Sequence, residues 1–100
     1  MNTQVAENIR AQLGVMVMML IGARRMAAPS DSSLMIEVNS RNRLSATHVL
    51  VRLEPTDTYT VQFFKVQKVR GVGVASRNVG EALDVYAEAL GRVVSDRLGY

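Results

Sequence analysis

The chain has 100 residues, of which 48% are apolar and 21% are charged, a composition typical of one globular domain of ordinary size. It contains no cysteine, which excludes a disulfide scaffold and a thiolate metal site and leaves the cytoplasm as the expected location. The net charge of +3 is uneven: residues 24–77 carry nine basic and four acidic side chains (+5), whereas residues 78–100 carry two basic and four acidic ones (−2).

A helix is predicted at the N-terminus. Thr3 is a suitable N-cap, and apolar residues recur at helical spacing at Val5, Ile9, Leu13, Met16 and Leu20. Gly14 interrupts this pattern. Because residues 15–21 are all apolar, both a second helical segment and a buried strand fit them; the methionines and leucine favour the helix.

The apolar run of residues 13–23 is too short to span a membrane, which takes about 20 residues. No membrane association is therefore expected. Leu13, Met16 and Leu20 continue the predicted core stripe of the first helix. The side chains off this stripe, Val15, Met18 and Met19, are a surplus of apolar surface that predicts self-association.

Three strands are predicted after a turn-forming segment at residues 28–33. Alternating apolar residues indicate strands at 34–38, 48–53 and 58–69, and a short further strand fits residues 25–28. In the longest strand the apolar register moves by one residue at Phe63-Phe64, which predicts a β-bulge. Connections this short imply antiparallel pairing.

A C-terminal helix is predicted from Asn78, a good N-cap with Glu81 three residues later, after a loop at residues 70–76. Its apolar stripe would contain Val79, Leu83, Tyr86, Leu90, Val93 and Val94. Gly80, Ala87 and Gly91 would form a flank of small residues that another helix can approach closely, which adds to the prediction of a homodimer.

Together these elements predict one α+β domain over residues 1–100. Its order is one or two helices, an antiparallel meander of three to four strands, and a C-terminal helix. The helices are expected to pack on one face of the sheet and to leave the other face at least partly open.

Three segments resemble a group of small bacteriophage proteins of about this length: residues 57–66 (DTYTVQFFKV), 22–28 (GARRMAA) and 85–90 (VYAEAL). The chain departs from that group at residues 15–20, where its members carry a polar, aromatic-containing segment, and at its end, where they terminate in Thr-Gly-Leu-Tyr. The resemblance implies an origin in a phage or prophage. It implies no activity and assigns no functional residue.

Catalysis is not expected from the sequence. The single histidine, His48, has no orienting carboxylate or exposed nucleophile turn in its pattern, so a structural or surface role is favoured. Glu81, Asp84 and Glu88 would share a helix face and have the chemistry of a hard-cation site, but a solvated face is favoured. We expect no metal and no cofactor.

Basic residues indicate a binding surface on the strands and their loops. The candidates are Arg41, Arg43, Arg52, Lys65, Lys68 and Arg70. Residues 70–77 (RGVGVASR) look like a phosphate loop, but no parallel strand follows the predicted helix, so an anion contact at the helix N-terminus is favoured over a nucleotide site. The element order is similar to that of double-stranded RNA-binding domains, which have a lysine cluster that this chain lacks.

Two functions follow as hypotheses. The first is a non-catalytic phage accessory protein in the host cytoplasm, which binds and modulates a host protein or nucleoprotein complex; an anti-defence, anti-CRISPR-like inhibitor belongs to this class. The alternative is a small basic protein that binds nucleic acid with its strand face and loops.

Overall fold

A computed structural model describes residues 3–100, in which two helices precede a run of five strands and a third helix follows it. The helices are α1 (Gln4–Leu13), α2 (Val15–Leu20) and α3 (Leu90–Leu98), the last preceded by a 3-10 turn at Ala87–Ala89. The strands are β1 (Arg25–Ala27), β2 (Ser33–Glu37), β3 (His48–Leu53), β4 (Tyr59–Val69) and β5 (Gly73–Val85).

The strands form one sheet in the order β1-β2-β3-β4-β5, and every neighbouring pair is antiparallel. The predicted meander is therefore confirmed, as is the short strand near residue 25. The described sheet has five strands, whereas three to four were predicted, because part of the predicted C-terminal helix is β5.

The core lies between one face of the sheet and the helices. Its fully buried side chains include Ile9, Ile21, Ile36, Val38, Val49, Val51, Val61, Phe63, Leu90, Val94 and Leu98. No helix within residues 3–100 lies over the opposite sheet face, which carries half-buried side chains such as Met35 and Leu50. The prediction that the helices pack against the sheet is confirmed.

Gly14 separates the two N-terminal helices. Its φ of 83° lies in a region that favours glycine, and the chain changes direction there. Residues 15–20 are helical, as the sequence favoured. Because of this break, however, the predicted core stripe does not continue: Leu13 is buried, but Met16 and Leu20 are exposed.

The predicted start of the C-terminal helix at Asn78 is wrong. Residues 73–85 pair with β4, and the α-helix begins only at Leu90. Two extra residues in β5 explain why its sequence pattern indicated a helix. One is Val79, between the pairs Phe63↔Gly80 and Phe64↔Asn78. The other lies between the pairs Val61↔Ala82 and Tyr59↔Val85. Each inserted residue breaks the period-two alternation of a strand and produces a spacing that is typical of a helix.

Asn78, the predicted N-cap of the helix, stabilises the irregularity in β5 instead. Its Oδ1 accepts a hydrogen bond from the backbone N–H of Gly80, at 3.0 Å, across the inserted Val79. The predicted irregularity at Phe63-Phe64 is therefore confirmed, but the additional residue belongs to β5. Along β4 the alternation is continuous, so Phe63 points into the core and Phe64 lies on the open face.

β4 and β5 extend beyond the rest of the sheet. β3 pairs with β4 only as far as His48↔Phe64, whereas the β4–β5 pairing continues from Lys65↔Arg77 to Val69↔Gly73. Residues 65–77 therefore form a two-stranded hairpin, which we call the arm. Its paired part is about 13 Å long at the usual rise per residue. The remaining described residues, 3–64 and 78–100, are the body.

Candidate nucleic-acid interface

The arm ends in a tight turn. The backbone N–H of Val72 donates to the carbonyl of Val69 at 3.0 Å, and Gly71 and Gly73 have φ values of 81° and 101°. Such angles are accessible to glycine and strained for other residues. The two glycines that looked like a phosphate loop therefore allow the chain to reverse between β4 and β5.

All charged side chains of the arm are basic. It carries Lys65, Lys68, Arg70 and Arg77, and no acidic residue occurs between Asp57 and Glu81. No residue of the arm is buried. Its charges therefore lie at an exposed surface, without a carboxylate of their own segment to neutralise them.

The four charges are spread over both faces and the tip of the arm. Lys68 follows Phe64 and Val66 on one face of β4, and Lys65 and Arg77 are directly paired on the other face, since successive side chains alternate. Arg70 lies in the turn. Like charges directly opposite each other in a sheet destabilise it, so the Lys65–Arg77 pair is unfavourable for folding.

Apolar side chains on the arm also face solvent. Val72 is 74% exposed and Val74 is 66% exposed. The arm therefore combines positive charge with small exposed apolar side chains, and neither contributes to the core.

The six basic residues predicted from the sequence do not form one patch. Lys65, Lys68 and Arg70 are together on the arm, and the structure adds Arg77 to them. The sequence missed Arg77 because it placed this residue before a helix. The local sequence GVASR at residues 73–77 has no strand alternation that would have found it.

Arg41 and Arg43 lie on the loop between β2 and β3, beside the C-terminal end of α3. The backbone N–H of Arg43 donates to the carbonyl of Leu98 at 3.0 Å, and the Tyr100 hydroxyl donates to the Arg41 carbonyl at 3.4 Å. The same loop reaches the base of the arm through Thr47, whose Oγ1 accepts the N–H of Val66 at 2.8 Å. These two arginines are thus near the body end of the arm and are not part of it.

Arg52 is distant from the others. It pairs with Thr60, five residues along β4 from Lys65, or about 17 Å. Its Nε donates to Glu54 Oε1 at 2.8 Å. This hydrogen bond holds the pKa of Glu54 below its ordinary value, and the carboxylate offsets the charge of Arg52.

The predicted anion contact at a helix N-terminus is wrong because no helix starts at Asn78. For the same reason Glu81, Asp84 and Glu88 do not share a helix face: the first two lie on β5 and the third in the 3-10 turn. Within residues 3–100, no group of three or more His, Cys, Asp or Glu side chains is arranged to hold a metal ion.

His48 connects the open sheet face to the base of the arm. Its Nδ1 lies 2.8 Å from Thr47 Oγ1, and its Nε2 lies 3.9 Å from Glu37 Oε2. The Thr47 hydroxyl is tied to the backbone of β4, through Val66 and, at 3.4 Å, the carbonyl of Phe64. This geometry gives the histidine and the threonine a structural task where the arm leaves the body.

A second exposed surface is formed by α2. Val15, Met16, Met19 and Leu20 are 75%, 73%, 71% and 52% exposed, and Met18 is half-buried. Val17 and Ile21 pack against or within the core instead. Of the residues predicted for self-association, Val15 and Met19 are thus available for contact.

The predicted flank of small residues does not exist as a helix surface. Gly80 is in β5, Ala87 is in the 3-10 turn and Gly91 is in α3. A Cβ on Gly91 would lie 2.8 Å from the carbonyl oxygen of Leu13, and one on Gly80 would lie 3.1 Å from Leu44 Cδ1. These two glycines therefore allow close packing within the chain.

Comparison with known protein families, with curated proteins and with solved structures finds no match to this chain. In the part of the chain that the structure describes, no helix has both the length and the hydropathy needed to cross a membrane.

Proposed function

We propose that the protein binds nucleic acid through the arm. The observation that carries this proposal is a protruding hairpin with four cationic side chains, no carboxylate and no buried residue. Phosphate backbones bind lysine and arginine with release of their condensed counterions. A two-stranded β-ribbon is also narrow enough to enter a nucleic-acid groove or to follow a single strand.

The distribution of charge favours a polyanion as the partner. Lys65, Arg77 and Lys68 lie on opposite faces of the arm, and Arg70 is at its tip, so an extended ligand with repeated negative charge meets several of them at once. An anion of one or two charges would use only a part of the set. The like-charge pair Lys65–Arg77, unfavourable for the free protein, is relieved when phosphates lie beside it.

The test compares two variants of equal net charge. Lys68→Gln/Arg70→Gln/Arg77→Gln removes three charges from the arm, and Arg10→Gln/Arg92→Gln/Arg97→Gln removes three exposed charges from the helices. In fluorescence anisotropy with labelled 20-nucleotide single strands and duplexes at about 50 mM salt, we expect the arm variant to bind at least tenfold more weakly and the helix variant to change by less than about threefold. An equal loss in both variants, or no binding by the unaltered protein, would contradict the proposal.

A second function, protein contact through α2, is supported by a separate observation. Four apolar side chains of this six-residue helix are more than half exposed, and contiguous apolar surface of this kind marks interaction sites. We propose self-association, as a homodimer, as the first use of this surface. A host protein or nucleoprotein complex, as implied by a phage accessory role, is the alternative occupant.

Light scattering coupled to size exclusion tests the α2 surface. Val15→Lys/Met19→Lys places two charges in it and should convert a concentration-dependent dimer to a monomer. Leu83→Lys/Tyr86→Lys, at two exposed apolar residues away from α2, is the matched control and should leave the dimer intact. A monomer mass for the unaltered protein at all concentrations would refute self-association.

A further inference from the structure

The open face of the sheet carries a second feature beside the arm. Phe64 and His48 are directly paired across β4 and β3, and Leu50 and Gln62 form the next pair along the same strands. All four side chains are half-buried, and none of the described helices packs over this face. We call these four residues the platform.

The platform is continuous with the charged arm. Phe64, Val66 and Lys68 follow one another on the same face of β4, so Lys68 lies about 13 Å from Phe64 along the strand. A ligand that lies across Phe64 and His48 therefore reaches Lys68 without leaving this face, and Arg70 in the turn beyond it.

Two rings of the kind that stack on nucleobases are neighbours here. Phenylalanine and histidine are side chains on which unpaired bases stack, and stacking combined with a cationic track is the usual mode of binding single strands. In a duplex the base faces are already covered by their own neighbours. A platform of this type therefore distinguishes single strands from duplexes, whereas the charges of the arm do not.

Two carboxylates lie beside the platform. Glu37 lies beside His48, at 3.9 Å from its Nε2, and Glu81 accepts a hydrogen bond from Gln62 Nε2 at 2.9 Å. Glu37 is also paired with Arg24, whose Nε lies 3.7 Å from Glu37 Oε1. Because Glu81 repels phosphate, a bound strand is directed away from this part of β5 and toward Lys68 and Arg70.

We propose that the nucleic acid bound by this protein is single-stranded, with bases stacked on Phe64 and His48 and phosphates held by Lys68 and Arg70. This inference rests on the proposed binding by the arm. It adds the class of ligand and two side chains with rings.

The test measures the affinity of Phe64→Leu for a 20-nucleotide single strand and for the duplex of the same sequence. Leucine keeps an apolar side chain and removes the ring. We expect single-strand affinity to fall at least fivefold, the lower end of the effect of one stacked base, and duplex affinity to change by less than about twofold. Tyr86→Leu removes an exposed ring outside the platform and should change neither affinity.

Phe64→Tyr keeps the ring and should keep single-strand affinity, which separates stacking from a disturbance of folding. His48→Leu is a second variant and should lower single-strand affinity in the same direction. If the unaltered protein binds duplex as tightly as single strands, or if Phe64→Leu changes neither affinity while the triple arm variant loses both, the platform is overturned and binding by the arm stands. If the unaltered protein binds neither ligand, both proposals fail.

Discussion

The strands β4 and β5 run through both the body and the arm, but their side chains have different surroundings in the two regions. In the body, β4 directs Val61 and Phe63 into a core where both are fully buried. Only a few residues later the same strand carries Lys65 and Lys68, and nothing in the arm is buried. The difference shows that the length of β4 and β5 exceeds what the core requires, and that the excess carries concentrated positive charge.

The boundary between these regions is sharp. It coincides with the inserted Val79 and with the last pair of β3, His48↔Phe64. Thr47 holds this boundary, because its hydroxyl accepts the N–H of Val66. The arm is therefore anchored at its base, and its outer part depends only on the pairing of its two strands.

Replacing a core residue at the boundary should have the largest effect on stability. Phe63 is fully buried, so Phe63→Ala should lower the free energy of unfolding by about 3–5 kcal/mol. Val72→Ala, at the exposed tip of the arm, should change it by less than about 0.5 kcal/mol. Urea unfolding of both variants measures this difference, and similar losses in the two would show that the arm is part of the core.

A smaller effect on stability is expected from replacing Tyr59, the first residue of β4. Burial disfavours the tyrosinate and raises the pKa of Tyr59, although a hydrogen bond with Gln12 opposes this shift. Because the pKa is higher in the folded state, Tyr59 makes its full contribution to the free energy of unfolding below about pH 10, the ordinary pKa of tyrosine. This contribution is lost as the pH rises through the folded-state pKa. As the pH rises from about 9 to 11, Tyr59→Phe should therefore lose less of its free energy of unfolding than the unaltered protein does.

Urea midpoints across this pH range provide the measurement for Tyr59. Tyr86→Phe, at a tyrosine that is 63% exposed, is the control and should follow the unaltered protein. Parallel curves for Tyr59→Phe and the unaltered protein would contradict the role assigned to burial.

The smallest effect concerns the arm and has the opposite sign. Lys65→Gln removes one member of the like-charge pair with Arg77 and should raise the free energy of unfolding by about 0.2–0.5 kcal/mol. The gain should shrink at high salt, where the repulsion is screened. A loss of stability in low-salt urea unfolding would show that Lys65 has a favourable role in the fold.

Much of the body was predictable from the sequence because its patterns are local. The alternation at residues 34–38 and 48–53 gives β2 and β3 nearly residue by residue, and the glycine at position 14 marks the break between α1 and α2. The α+β class and the antiparallel meander follow from these segments and their short connections.

The arm was only half predictable. Lys65, Lys68 and Arg70 were identified as a basic surface, but the partner strand was not. Val79, Leu83 and Tyr86 recur at helical spacing, and two residues inserted in β5 interrupt the alternation that marks a strand. Only pairing with β4, a contact between distant parts of the chain, decides between helix and strand there. The platform was missed for the same reason, since the proximity of His48 and Phe64 is a consequence of register and not of sequence separation.

The salt dependence of single-strand binding tests the central claim most directly. At roughly 0.7 per phosphate, the slope of log K against log salt concentration should be about −1.4 if Lys68 and Arg70 alone neutralise phosphates and about −3 if all four cations of the arm do so. The Lys68→Gln/Arg70→Gln/Arg77→Gln variant should retain a slope no steeper than about −0.7. A slope near zero for the unaltered protein, or the same slope for both proteins, would contradict the assignment of binding to the arm.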